Sequence, residues 1–216
     1  FKYRRKAVIY HLYFPELVLE AINTVLNFKD DFDIIFTIAE SLDKKLVELI
    51  RQSTLATIFI CKNTGRDQRP WLTLLQNGYF DKYELVCKLH GKRSLHRLDG
   101  DSWRQYSIAT LCGSTKRIDL ICKIMIENRV HFLAPKKYSF FPSELKHWKG
   151  QEYWLKKISE RMNISFNYEN LNQLPIAGGS FFWVSKEGLA RLKSIPIWNY
   201  DWIRNSDAGF KLDGNL

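Results

Sequence analysis

The sequence predicts an α/β fold, a mostly parallel central sheet flanked by helices. Two observations carry that expectation. Four strand-then-helix units follow one another in the first half, the alternation that builds parallel sheets. Two of those strands also end in strings of charged and ring-nitrogen side chains, where open α/β sheets bind their ligands. Ala7-Val8-Ile9-Tyr10-His11-Leu12-Tyr13 is the first strand, and Phe14-Pro15 opens an amphipathic helix with Leu17, Ala21, Ile22 and Val25 on one face. Phe32 to Thr37 is the second strand, and Ser41 can cap the helix that carries Leu42, Leu46, Leu49 and Ile50. Thr57 to Cys61 is the third strand; Pro70 suits a helix start reaching Leu75, and Tyr83 to Leu89 is the fourth strand.

The second half is less regular. Ser102 opens one helix, Thr115 to Glu127 forms another, and Val130 to Pro135 reads as a strand. Gln151 to Met162 is a basic amphipathic helix; Ile176 to Val184 is the last strand, with glycines that permit a bulge or close ligand approach, and Ser185 caps a short helix after it. No repeat or low-complexity tract breaks the chain, so residues 1–216 are read as one domain. Within it the regular half is residues 1–112 and the less regular half 113–216.

With 45% hydrophobic and 14% aromatic residues, the composition argues for a folded, ring-rich domain and against disorder. No apolar run reaches the length that spans a bilayer. Cys61, Cys87, Cys112 and Cys122 lack C-x-x-C spacing, and most sit in apolar runs, as reduced core thiols do, which points to a cytoplasmic setting. The start without Met and the ending at Asp213-Gly214-Asn215-Leu216 suggest a piece of a larger protein, truncated at its carboxyl end. A net charge of +10 implies an anionic partner: nucleic acid, a phosphorylated sugar donor or acidic lipid headgroups would all satisfy it.

Asn63-Thr64-Gly65-Arg66-Asp67 has the composition of a turn, but Gly65 allows close backbone approach, Arg66 can fork onto phosphate, and Asp67 can accept from a sugar hydroxyl. Lys88, His90, Lys92 and Arg93 crowd together so tightly that a bound anion would relieve them, and a lysine inside an apolar strand wants a partner. Trp103-Arg104 can bring a guanidinium to the same anion. Asp99-Gly100-Asp101 spells the D-x-D that many sugar transferases use for a cation, but it lies well past the fourth strand, and a turn is the reading adopted. No metal ligand is therefore assigned, a divalent cation being the less favoured alternative, and His11, His96, His131 and His147 show no ligand spacing with the cysteines. Asp201, Asp207 and Asp213 offer carboxylates for a general base. Serine-nucleophile, P-loop and dinucleotide fingerprints are absent, and no nucleic-acid-binding pattern appears.

Taken together, His11-Leu12-Tyr13-Phe14-Pro15, the Asn63–Asp67 string, Lys88-Leu89-His90-Gly91-Lys92, Trp103-Arg104, Ala177-Gly178-Gly179-Ser180-Phe181-Phe182-Trp183 and Asp213-Gly214 resemble the rhamnan synthesis protein F family in order and spacing. The resemblance implies a GT-A-like glycosyltransferase domain that uses a nucleotide-activated sugar to build rhamnose-rich polysaccharide or lipopolysaccharide O-antigen at the cytoplasmic face of the membrane. Phe181 stands where Met is common, and the chain stops where the family's D-G-T-x-A-H-A helix would begin.

The resemblance implies that residues 1–112 are the nucleotide-binding half and 113–216 the acceptor-side half, and the expected roles follow. Asn63, Gly65, Arg66, Asp67, Lys88, Lys92 and Arg104 hold the nucleotide-diphospho-sugar, the cations offsetting its diphosphate in place of a metal. His90 bonds a phosphate oxygen, and Asp213 deprotonates the acceptor hydroxyl. His11, Trp103, Gly178, Ser180 and Trp183 face the substrate. The acceptor is expected to be lipid-linked or polysaccharide. The basic helix with Lys146, Lys149, Lys156, Lys157 and Arg161 is expected to face anionic headgroups. A non-catalytic glycan-binding module, stacking sugars on Trp148, Tyr153, Trp154, Trp183, Trp198 or Trp202, is the alternative.

Overall fold

A computed structural model describes residues 6–94, 98–136, 138, 152–161, 163–165 and 177–194. Asp201, Asp207, Asp213, Lys146, Lys149, His96, His147, Trp148, Trp198 and Trp202 lie outside the described residues, as do the side chains of Trp154 and Arg161. The described chain builds a six-stranded sheet from β1 (Lys6–Leu12), β2 (Phe32–Ala39), β3 (Thr57–Cys61), β4 (Leu85–His90), β5 (Phe132–Leu133) and β6 (Phe182–Ser185), in the order β3-β2-β1-β4-β6-β5. β1 pairs in parallel with β2 and β4, and β2 with β3; β6 runs antiparallel to both β4 and β5. The fold class read from sequence is the one observed. Strands from both halves of the chain share this one sheet.

Strand residues alternate between two cores because successive side chains leave a strand on opposite faces. Val8, Tyr10 and Leu12 of β1, with Cys87 and Leu89 of β4, pack against α1 (Val18–Val25), α4 (Gly100–Cys112) and α5 (Thr115–Glu127). Ala7 and Ile9, with Val86, Phe182 and Val184, pack on the other face against Trp71 and Leu75 of α3 (Gln68–Gln76) and Leu189 of the last described helix, Lys186–Lys193. Coverage on both faces is why these strands read as continuous apolar runs. Two further helices complete the described set: α2 (Lys44–Ser53), and α6 (Glu152–Arg161), which precedes the Lys186–Lys193 helix, α7.

Several boundaries differ from the sequence reading. Asp43, not Ser41, caps α2, its Oδ1 accepting from Lys45 N–H at 2.7 Å. α3 begins at Gln68, which places Pro70 in its first turn, and α4 begins at Gly100 rather than Ser102. Of the strand expected over 176–184, residue 176 lies outside the described residues, and the described part is strand only in β6, because Gly179 adopts a left-handed φ of 78° inside a single helical turn, Gly178–Ser180.

Candidate functional site

From β1 the chain steps outward to β2 and β3, then crosses back over β1 to form β4, so the strand order reverses between β1 and β4. Open α/β sheets bind ligands outside the carboxyl ends of the strands at such a reversal. Here those ends carry one polar row: His11 of β1 stands in register with Thr37 on one side and His90 on the other. The His11 Nδ1 and Thr37 Oγ1 are 2.9 Å apart. Lys88, two residues before His90, leaves β4 on the same face.

Asp67, the residue before α3, reaches this row. Its carboxylate accepts from the Lys88 ammonium, and its Oδ2 also from Gln68 Nε2 at 3.2 Å. Lys88 is 1% exposed; its ammonium further donates to the Ser180 carbonyl at 3.2 Å and approaches the Ser180 hydroxyl at 3.4 Å. Gln68 also donates to that hydroxyl. His90 Nε2 lies 2.5 Å from the Gly179 carbonyl, which assigns the proton to that nitrogen, and Phe181 covers the ring with centroids 4.5 Å apart. The two motif strings therefore meet with the glycine turn in one buried knot. Arg66 and Ser180 each take a left-handed φ, 50° and 66°, a conformation that costs non-glycine residues energy and persists where neighbours over-determine it.

Burial lowers the pKa of His11 to about 4, Asp67 pulling it up and Lys88 down. Burial likewise takes His90 down to about 3, against Asp67 and with help from Lys88 and Lys92. Both imidazoles are neutral at pH 7. Burial would raise Asp67, but His90 and Lys88 outweigh it and hold the carboxyl well below the usual carboxylate range; with the imidazole neutral, the ammonium is the charged partner at pH 7.

A second clamp works on the other face. Arg104 of α4 is 3% exposed and grips Glu20 of α1 through Nε at 2.7 Å and Nη2 at 3.1 Å, with Asp101 as a further partner. Its Nη1 also donates to the Lys92 carbonyl at 2.8 Å. Beside it the Lys92 ammonium sits 4.5 Å over the Trp103 ring, whose edge meets Gly179. Arg93 pairs with Glu16, its guanidinium 5.9 Å from the Phe14 ring centroid.

This geometry corrects several sequence-derived roles. Lys88 and Arg104 do not present charge to solvent: each is buried and neutralised by carboxylates, so each shapes the site rather than facing a diphosphate. Asp67 is committed to Lys88 instead of a sugar hydroxyl, and the His90 proton to Gly179 instead of a phosphate. Trp183 is wholly buried, its indole N–H donating to the Leu111 carbonyl at 3.2 Å and its ring packed on Phe28 and Phe32. It has no face left for a sugar. His11 and Trp103 are nearly buried; Asn63, Arg66, Lys92, Gly178 and Ser180 are half-buried around the knot, with Gly65 buried beneath. Asp213 lies outside the described residues. Thr37, Gln68 and Glu20 complete the two clamps without a motif to announce them, although the alternation of β2 places Thr37 on the His11 face. Among the described residues no group of histidine, cysteine, aspartate or glutamate is arranged to hold a metal.

A family model described as rhamnan synthesis protein F matches residues 1–207. The chain is also 26% identical, over 210 residues, to the uncharacterized protein WxcX in two strains of Xanthomonas campestris pv. campestris; the match covers 97% of this chain and 29% of WxcX. The chain thus spans less than a third of those relatives. Core-mannan synthase A from Aspergillus fumigatus, solved in a Mn/GDP form, superimposes with a TM-score of 0.39 at 7% identity, covering 87% of this chain and 63% of that one.

Proposed function

We propose that this chain, which belongs to the rhamnan synthesis protein F family, is a glycosyltransferase-like domain of polysaccharide biosynthesis that takes a nucleotide-diphospho-sugar at the carboxyl ends of β1 and β4. The observation that carries the reading is the concentration of the family's motif strings at the one place where the strand order reverses. Fixed positive charge on the rim, from Arg66, Lys92 and Arg93, offsets the diphosphate as it leaves. Asp67–Lys88 and Arg104–Glu20 hold the loops that carry those cations. Stabilising a leaving anion with fixed donors is among the strongest catalytic effects, about 3 to 4 kcal/mol for one donor. Asp213 is the general base for the acceptor hydroxyl, and direct attack by that hydroxyl inverts the anomeric carbon.

The acceptor is a lipid-linked or polysaccharide chain at the inner face of the membrane. Exposed Lys156 and Lys157 of α6 support contact with anionic headgroups there, and no helix among the described residues is long and apolar enough to cross a bilayer. Calorimetric titration of the full-length protein with dTDP, UDP and GDP, with and without EDTA, tests the reading. Saturable binding of one nucleotide that survives EDTA is expected, with Asp213→Asn sparing that binding and abolishing sugar transfer. Absence of binding by all three would overturn it.

A further inference from the structure

We infer that the β3 edge of the sheet is a self-association surface: two copies of this chain pair their β3 strands antiparallel about a two-fold axis at Phe59, joining their sheets into one. The surface is separated from β1 and the nucleotide site by β2 and stands apart from the nucleotide reading. β5, at the opposite edge, is two residues long and too short to template another strand, whereas β3 has five residues and, among the described residues, β2 as its one neighbour. Folded proteins blunt such an edge with charge, proline or a bulge. The run Thr54-Leu55-Ala56-Thr57-Ile58-Phe59-Ile60-Cys61 has neither charge nor proline, and β3 keeps unbroken register with β2. Ile60 is 58% exposed and Leu55 90%. α2, which packs on the same face as Ile58, buries only Ile50 fully, leaving Leu46, Val47 and Leu49 half-buried.

The backbone fixes the register. The Cys61 carbonyl accepts from Glu40 N–H at 2.9 Å, so Cys61, and with it Phe59 and Thr57, turns its backbone groups toward β2. Ile58 and Ile60 therefore turn theirs outward. A two-fold pair brings the same surface of both copies together, and antiparallel strands bond through residues that face each other. Ile58 of one copy thus exchanges both of its hydrogen bonds with Ile60 of the other, and Phe59 stands opposite Phe59 on the axis. Opposed residues share a face of the sheet, so isoleucine meets isoleucine on the α2 face, and Thr57 meets Cys61 beside the paired phenylalanines on the other. Aromatic and β-branched side chains are favourable cross-strand partners.

Charge selects a second copy as the occupant. A chain with a net charge of +10 repels its own kind except where its surface is neutral. This edge is such a place: the strand is uncharged, and the charges nearest its ends offset one another, Arg51 pairing with Glu48 at 2.7 Å at one end and Lys62 and Glu40 flanking Cys61 at the other. An anionic partner gains nothing on such a strip. An edge about 17 Å long with a helix layer on each face presents about 500 Å² per copy, the lower end of specific interfaces, so the dimer is reversible.

Sedimentation velocity of the full-length protein from about 1 μM to about 200 μM tests this. A concentration-dependent dimer is expected, and Ile60→Lys is expected to weaken it at least about tenfold by setting ammonium groups in the seam, with the circular dichroism spectrum unchanged because Ile60 is exposed in a single copy. Cross-linking reads the register. In Thr57→Cys, oxidation by diamide is expected to join the introduced thiol to Cys61 of the other copy, since the non-bonded pairs of an antiparallel ladder bring side chains closest. Adding Cys61→Ser is expected to remove that link. A protein monomeric at every concentration, as it would be if another segment of a longer protein covered the edge, would overturn the inference. So would a dimer that Ile60→Lys leaves intact, or one that Thr57→Cys fails to cross-link.

Discussion

Asp67 and Lys88 show what a single side chain can be asked to do at this site. Their side chains are 9% and 2% exposed, so the pair has given up nearly all hydration and is held by mutual charge and by Gln68 and Ser180. Two ions buried together gain about as much as desolvation costs them, but one ion left behind has nothing to offset its cost. Lys88→Met or Asp67→Leu alone is therefore expected to destabilise the fold by about 3–5 kcal/mol. The double variant Asp67→Leu/Lys88→Met is expected to lose less than either single change. Urea unfolding of all four proteins closes the cycle; additive losses would show that the two side chains stabilise the fold independently. A lysine in an apolar strand announces that it needs a partner, but the partner stands 21 residues away, and the carboxylate that holds Arg104 stands 84 residues away. Local sequence shows the need and not the pairing, which is why both cations read as ligands before the fold brought Asp67 and Glu20 to them.

Elements, by contrast, declare themselves where burial is symmetrical. β1, β2 and β4 are covered on both faces, so their apolar runs were legible, as were the α5 boundaries, set by Ser114, whose Oγ accepts from Arg117 N–H. The start of α4 was not legible, because it depends on close packing against the loop just before it rather than on a capping side chain. A Cβ at Gly100 would fall on the Arg93 carbonyl oxygen and 2.9 Å from that of Ser94, both backbone atoms that cannot swing aside. Gly100→Ala would ordinarily help a helix by up to about 1 kcal/mol. Here the clash is expected to prevail, with a net loss of about 1–3 kcal/mol. Thermal unfolding reads the sign: a variant melting at or above the parent would mean that the 92–94 loop is not packed on α4. The glycine turn before β6 was half legible, since Gly178-Gly179 advertised a bend, but its closure by His90 and Lys88 needs the antiparallel pairing of β6 with β4.

At the scale of the whole molecule, the row of His11 and His90 across the sheet end couples the site to global stability through protons. Each imidazole is neutral when folded, with a pKa near 4 for His11 and near 3 for His90, against about 6.5 in an unfolded chain. Above pH 6.5 neither state is charged, and the full stability is present. As pH falls below 6.5 the unfolded chain binds two protons that the folded one refuses, so stability drops with a slope of up to about 1.4 kcal/mol per pH unit for each histidine. By pH 5 the loss is about 2 kcal/mol per histidine. Asp67 adds to this only at lower pH: its depressed folded pKa leaves its contribution intact above the unfolded value near 3.9 and removes it as pH falls further. Urea midpoints are therefore expected to fall steadily between pH 7 and pH 5, and His11→Gln or His90→Gln, though less stable at pH 7, to flatten that fall by about half. A parent protein equally stable at pH 7 and pH 5 would mean that both rings are hydrated rather than sealed beneath α3 and the glycine turn, and the site would then be open where the fold closes it.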